Sequence, residues 1–418
     1  MKKVTIITHL PFRKKGNQSL KRFVEMFLSR GQQVVLISDG IDGEGENVIS
    51  HPNFKLIRIE GNRKGNSITF NKTTSTNYSD IKSKDIFLPY LEVNKFRGIV
   101  KKQVDFLLNT YKQNRIYNII TKSYFSAIED SDIVIGYEAS RTFVAKKISK
   151  KINAKYINKF QGTILAVCKR NSIKAAIFYP RLYFGLNKAD LCLMVNDGTD
   201  GAFWAKAKGN NKIRFRPHGV ANKEYPKDVN LNDDEKFVIF NNASSSNWKR
   251  PDRIIRALST LETNYLDKIL FKTTFFGPNK QALVEYIDKL GLSNVVEFCD
   301  NFNHIDSNIM IRKSDLFTMT NDMSNLGNPI LESIYYNTPF ISINDRSLDD
   351  VCDYSSGAIL VDLDDDFDNN FANEVRKLID SKKYYNTVKD KLERNDLVKS
   401  LDEEQQDEYE TIKKSVCL

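Results

Sequence analysis

Apolar and polar positions follow two alternating periods along the chain. Residues 3–8 form a short β-rich apolar run, and Leu20, Phe23, Val24, Phe27 and Leu28 then recur at helical spacing up to Gly31. Residues 34–38 and 54–59 are two further apolar runs, so the chain opens as β–α–β. Residues 61–85 are rich in Asn, Lys, Ser and Thr and poor in apolar side chains, which fits a solvated loop or a flap. Phe96, Ile99, Val100, Val104, Leu107 and Leu108 restore the helical period and predict a helix over 96–111. Strands are predicted at 133–135, 155–158, 191–195 and 213–216. A helix is predicted over 140–150, and a turn at 196–199 leads into another.

The same alternation resumes after a charged stretch, 221–236, that contains Pro226 and reads as a linker. Strands are predicted at 237–240, 270–276, 294–298, 316–319, 340–343 and 357–361, with helices over 253–261, 281–290 and 306–313. Residues 363–370 form an acidic loop, and polar helices fill 371–418. Two series of strand–helix units predict two doubly wound α/β domains, 1–220 and 237–395, with a final helix in 396–418. A ligand is expected in the cleft between them.

The most informative stretch is 316–343. It reads as a strand, a polar loop at 323–327, a helix and a second strand. Asn328 stands where an N-cap belongs, Pro329 takes the first helical position, and Ile330, Leu331, Ile334 and Tyr335 mark one face. Such a turn offers free backbone N–H groups above the end of a parallel sheet, where a phosphate fits. Glu332 lies one position too late for a capping box. An acid beside an anion site suits a neutral group, such as a pair of sugar hydroxyls.

Composition narrows the classes. The chain is 41% apolar and 28% charged, a globular mixture, and has no run of 18 apolar residues. Its first residues read as a strand, not a signal peptide. Five widely spaced cysteines form no disulfide framework or metal pair, which points to a reducing, cytoplasmic setting. His9, His51, His218 and His304 make no zinc motif, and the runs Asp349-Asp350 and Asp364-Asp365-Asp366 read as solvated acids. Charge is uneven: residues 1–220 carry 39 Lys/Arg against 17 Asp/Glu, and residues 221–418 carry 24 against 36. The first half therefore suits an anionic partner, with Lys14, Lys15, Lys21, Lys101 and Lys102 as a candidate basic surface. No nucleic-acid recognition module accompanies that charge, and no nucleic acid is expected.

The stretch from Ser324-Asn325-Leu326-Gly327-Asn328-Pro329 to Glu332 resembles the donor-binding segment of retaining glycosyltransferases of the large group 1 family (family 4), in a variant from bacterial polysaccharide synthesis. The resemblance implies the GT-B fold, two Rossmann-like domains facing across a cleft. Glu332 matches the glutamate that binds the donor ribose, and Ser324 stands where that family has a first glutamate. Gly16-Asn17 matches its glycine-bearing first loop. Trp248-Lys249-Arg250 matches the segment whose lysine clamps the donor diphosphate, and Ser244 falls at the arginine of the clamp, so the clamp would rest on Lys249, joined by Arg250, serine hydroxyls and backbone N–H groups. Gly277 lies in a loop that contacts the nucleotide. Glu138 matches a residue near the reacting sugar, and Gln161 and Gly162 match the acceptor side. His218 takes the asparagine position of the family's domain junction, and the last helix is expected to return to the first domain.

The resemblance implies transfer of a sugar from a nucleotide-diphosphate sugar to a hydroxyl acceptor on a glycan, lipid-linked carrier or protein, in the synthesis of a surface polysaccharide, lipopolysaccharide or other glycan. Lys249, Glu332 and Glu138 would carry the chemistry, with no cofactor and no metal. The enzyme would be cytoplasmic, with peripheral contact to the anionic inner face of a membrane. A sugar-nucleotide epimerase of the same fold and a non-catalytic, anion-binding relative are the alternatives.

Overall fold

A computed structural model describes residues 1–12, 18–40, 49–59, 87, 97–163, 165–221, 236–243, 247–277, 279–299 and 304–416. Gly16, Asn17, Ser244, Lys14, Lys15 and nearly all of the expected linker lie outside these. The described residues form two compact units. One comprises those in 1–59, 97–216 and 402–416, the other Phe87 and those in 217–401.

The first unit is built on β1 (Lys3–Thr8), α1 (Gln18–Leu28), β2 (Gln33–Ser38), β3 (Phe54–Arg58), α2 (Arg97–Ser123), β4 (Ile133–Tyr137), α3 (Thr142–Ile152), β5 (Lys155–Phe160), α4 (Ser172–Phe178), α5 (Pro180–Gly185), β6 (Leu191–Val195), α6 (Gly201–Ala207) and β7 (Ile213–Arg216). Its strands are parallel, in the order β3-β2-β1-β4-β5-β6-β7. Both faces are covered, which is why β1 and β4 read as continuous apolar runs rather than alternating ones. On one face Val4, Ile6 and Ile135 pack with Leu20, Phe23, Val24 and Phe27 of α1. On the other, Ile7 and Val134 meet Ile116 and Ile120 of α2 and Val144 and Ile148 of α3. The helix expected over 96–111 therefore continues to Ser123, because Gln113, Ile116 and Ile120 supply a core-facing stripe beyond that range. The strand expected over 155–158 extends to Phe160, whose side chain is buried.

The second unit contains β8 (Phe237–Asn241), α7 (Pro251–Leu258), α8 (Thr263–Leu266), β9 (Ile269–Thr273), α9 (Lys280–Lys289), β10 (Val296–Phe298), α10 (His304–Lys313), β11 (Leu316–Met319), α11 (Asn328–Tyr335), β12 (Phe340–Ile343), β13 (Ile359–Val361), α12 (Phe367–Asp380) and α13 (Lys382–Glu393). Its parallel order is β10-β9-β8-β11-β12-β13. The acidic loop expected over 363–370 is cut short: α12 begins at Phe367, whose ring packs against Phe371 in a buried stripe continued by Ala372, Val375 and Leu378. Asp364, Asp365 and Asp366 before it are exposed.

The last helix, α14 (Leu401–Val416), packs on the first unit's sheet. Tyr409 and Ile412 enter its core. Arg214 of β7 pairs with Glu404 at 2.6 Å and Asp407 at 2.7 Å, and Lys159 of β5 pairs with Glu408.

Candidate functional site

In a doubly wound sheet, ligands sit at the carboxyl ends of the strands where the strand order reverses. In the second unit that point lies between β8 and β11. The chain leaving β8 makes a short 3-10 turn, Asn247–Lys249, and the chain leaving β11 makes the loop 320–327. A buried network joins the two. The Arg250 guanidinium donates to both oxygens of Asp252 at 3.0 and 2.8 Å and to Asp322 at 3.0 Å. Arg253 donates to Asp322 at 2.8 Å and to the Thr320 carbonyl at 3.0 Å. The Asp322 N–H donates to the Trp248 carbonyl, and the Thr320 hydroxyl to the Arg250 carbonyl. A third loop joins through Asn279, which donates to Asn247 at 2.8 Å. That loop carries exposed Gly277, whose φ of +94° favours glycine.

Arg250 is therefore not the ligand-facing cation expected beside Lys249. It is fully buried, and its charge is matched by carboxylates. Lys249 is different. It is partly exposed, it lies against the Trp248 ring at 4.4 Å, and it has no ion pair among the described residues. Burial lowers its pKa to about 8, with no carboxylate to offset the loss of hydration.

The loop 320–327 is rigidly held. Asn325 is fully buried: its carbonyl oxygen accepts from the Asn321 N–H at 2.8 Å, its amide donates to Asp345 at 2.8 Å, and its own N–H donates to Ser347 at 2.8 Å. Leu326 is also buried. These two expected donor contacts thus shape the loop from beneath. Ser324, at φ +50°, and Gly327 remain partly exposed. The N-cap of α11 is Gly327, not Asn328. Its backbone is extended (φ −127°, ψ 169°), and no side chain caps the helix. The free N–H groups expected here are also fewer, because Pro329 has none and the Ile330 N–H donates to the Gly327 carbonyl at 3.0 Å. Glu332, on the second turn of α11, is buried, and burial raises its carboxyl to a pKa of about 8.

The first unit holds a second group of polar residues at the ends of β4, β5 and β6. Glu138 follows β4 at φ +68°, and its carboxylate accepts from the Gln161 N–H at 2.8 Å. Burial raises its pKa to about 7; the Gln161 N–H and Lys159 oppose that shift, and Asp197 adds to it. Gln161 donates to the Tyr137 hydroxyl at 2.5 Å. Gly162 is required here: its φ is +132°, and a Cβ would stand 2.1 Å from Asp197 Oδ2. Asp197 in turn accepts from the Thr163 N–H and the Thr199 N–H and hydroxyl. Glu138, Gln161 and Gly162 are brought together, and Asp197, read from sequence only as part of a turn, joins them.

Sequence reasoning also missed a cavity of about 380 Å³ at the β1–β4 reversal point, lined by His9, Asp39, Asp105, Lys112, Arg141 and Arg181 among others. Arg141 holds Asp39 in a two-point ion pair at 2.6 and 2.5 Å, and Lys112 reaches Asp39 at 2.7 Å. His9 Nδ1 is buried without a hydrogen-bond partner among the described residues. Its pKa falls to about 4, mainly through burial and then through Arg141. The only signal in the sequence is position, since His9, Asp39 and Arg141 each follow a strand by one to four residues.

Residues 221–394 match the family model of glycosyl transferases group 1. No curated protein matches the chain in sequence. Solved structures share its fold over its whole length. Sucrose-phosphate synthase (tll1590) from Thermosynechococcus elongatus is 13% identical, covers 99% of both chains and has a TM-score of 0.67. Anabaena Alr3699/HepE in complex with UDP-glucose is 13% identical, covers 99% of both chains and has a TM-score of 0.61. WaaG, a glycosyltransferase involved in lipopolysaccharide biosynthesis, is 12% identical and covers 96% of this chain and 98% of its own, with a TM-score of 0.56. The chain has the GT-B fold of two Rossmann-like domains and carries, over residues 221–394, the domain of the group 1 glycosyl transferases: it is a glycosyltransferase.

Proposed function

We propose that this glycosyltransferase is a retaining enzyme that takes its sugar from a uridine-diphosphate donor held by the second unit. It would pass the sugar to a hydroxyl of a surface-glycan or lipid-linked acceptor held by the first. The observation that carries the reading is Lys249: a partly buried ammonium with no carboxylate partner among the described residues, fixed at the strand-order reversal by the Arg250–Asp252–Asp322–Arg253 network. A donor diphosphate supplies the missing counter-charge. As the bond from sugar to diphosphate breaks, negative charge grows on the leaving oxygen, and Lys249 stabilises it most at that stage. Glu332 accepts the ribose hydroxyls. Glu138, with a pKa near 7, takes up the acceptor hydroxyl's proton as the new glycosidic bond forms on the same face.

UDP and UDP-glucose are named for the Anabaena structures, and this supports uridine as the nucleotide. Among the described residues no helix is long and apolar enough to cross a membrane. We place the enzyme at the cytoplasmic face of a membrane, held peripherally. Incubation with UDP-, GDP- and ADP-sugars, reading release of the nucleotide with and without glycan acceptors, tests the reading. Turnover of none of them overturns it.

A further inference from the structure

One residue of β5 is out of keeping with its strand. The first unit's sheet is covered on both faces, and Lys159 stands on the same face as Ile157, under α1. It is buried, and its ammonium lies over the Phe23 ring at 5.2 Å. A buried cation without a partner is strongly destabilising. The partner is Glu408, also buried, which α14 brings from 249 residues further along the chain. The same helix holds Arg214 of β7 through Glu404 and Asp407, so α14 is pinned to two strands of the sheet.

Lys159 is also the backbone neighbour of Glu138. Its carbonyl accepts from the Glu138 N–H at 2.9 Å, and two residues on the Gln161 N–H donates to the Glu138 carboxylate at 2.8 Å. Glu138 is thus gripped by β5 at both its backbone and its side chain. Such a grip is what keeps a non-glycine residue in the left-handed region, here at φ +68°.

The charges around Glu138 come from several elements. Lys159 of β5 favours its carboxylate, and Asp197, after β6, disfavours it. Tyr137 of β4 and Gln161 are neutral and hydrogen-bonded to each other. From α1 comes the ring of Phe23, 5.7 Å from that of Tyr137. Arg141, ahead of α3, is turned to Asp39. Glu408 of α14 acts through Lys159, whose charge it offsets.

We propose that Glu408, acting through Lys159, is a positioning residue for Glu138, so that the last helix of the chain is part of the acceptor-side machinery. This deepens the reading of Glu138 as the group that takes the acceptor's proton and rests on it.

The test follows Glu138 itself by NMR in the full-length protein, labelled with carbon-13 at the glutamate carboxyls. Its signal is identified by its loss in Glu138→Gln, and its midpoint in the parent is near pH 7. Glu408→Gln removes the offsetting acid and leaves the full charge of Lys159 to Glu138, so the midpoint should fall by at least ~0.5 pH unit. Lys159→Met should raise it by a similar amount. The swap of Lys159→Glu with Glu408→Lys keeps an ion pair but sets an acid beside Glu138, and should also raise the midpoint. In each variant the kcat/KM limb near pH 7 should move with the midpoint, at unchanged UDP affinity. Unmoved midpoints, or shifts of the same direction in Glu408→Gln and Lys159→Met, overturn the proposal, because lost packing does not reverse sign with charge. Where a single variant fails to fold, the swap decides by the same criterion. Midpoints that move while the kcat/KM limb stays fixed overturn Glu138 as the base, and with it the part of α14 in the reaction.

Discussion

Replacing Lys249 by methionine should make the ligand-free protein more stable and the enzyme worse. Methionine keeps the length and the contact with Trp248 but removes the charge. In the folded protein burial lowers the ammonium's pKa from 10.5 to about 8, and no ion pair among the described residues offsets this. A depressed lysine pKa destabilises the fold wherever the group is protonated in both states, that is below about 8. That cost fades as pH rises from about 8 to 10.5. One pKa unit corresponds to about 1.4 kcal/mol. Discounted for partial exposure, the variant should gain about 1–3 kcal/mol at neutral pH, several degrees in the unfolding midpoint of the second unit. UDP binding should weaken by about 1.5–3 kcal/mol, the usual worth of a charge-assisted phosphate contact. Denaturation followed at pH 7 and pH 10, together with calorimetric titration of UDP, gives both numbers. A variant that is less stable at pH 7, or that binds UDP as tightly as the parent, would refute the assignment of Lys249 as an uncompensated diphosphate ligand.

Arg250→Met should behave in the opposite way. It strips the buried Asp252 carboxylate of both guanidinium hydrogen bonds and should lower stability by about 3–5 kcal/mol; a variant that folds normally and loses only UDP affinity would return Arg250 to the diphosphate. Glu332 has a raised pKa, so its contribution to stability is full below about 4.5 and is lost as pH rises to about 8. Glu332→Gln should abolish that decline, and uridine binding, which should tighten through pH 8 in the parent, should become flat, as calorimetry at several pH values would show. Glu138→Gln should remove an ionisation near pH 7 from the kcat/KM profile while leaving UDP affinity intact; an unchanged profile would exclude Glu138 as the proton acceptor.

Both sheets were legible from the apolar runs, because strands buried on both faces leave an uninterrupted signal. The helix ends were less so. The start of α11 shifts because Gly327 can take the extended cap conformation without a side-chain bond, which a preference for Asn at the cap does not reveal. The start of α12 was hidden by its acidic approach, although Phe367 and Phe371 already had core spacing. At the site, the pairing of Trp248-Lys249-Arg250 with the loop after β11 follows from strand order, and periodicity cannot supply that order across about 70 residues. For the same reason adjacent Lys249 and Arg250 look alike in sequence, yet the left-handed turn at Arg250 (φ +52°) marks where they part, one to the surface and one into the core. The first-unit cavity was illegible because its residues come from three strand ends, α2 and α5, with no local motif.

The most direct test of the account is binding of UDP to the purified protein, measured by calorimetry alongside GDP, ADP and uridine. The account predicts saturable binding of UDP at one site, tighter than uridine by at least ~10-fold and tighter than that in the Lys249→Met variant by a similar factor. Equal affinity for UDP and uridine, or UDP binding indifferent to loss of the Lys249 charge, would contradict it.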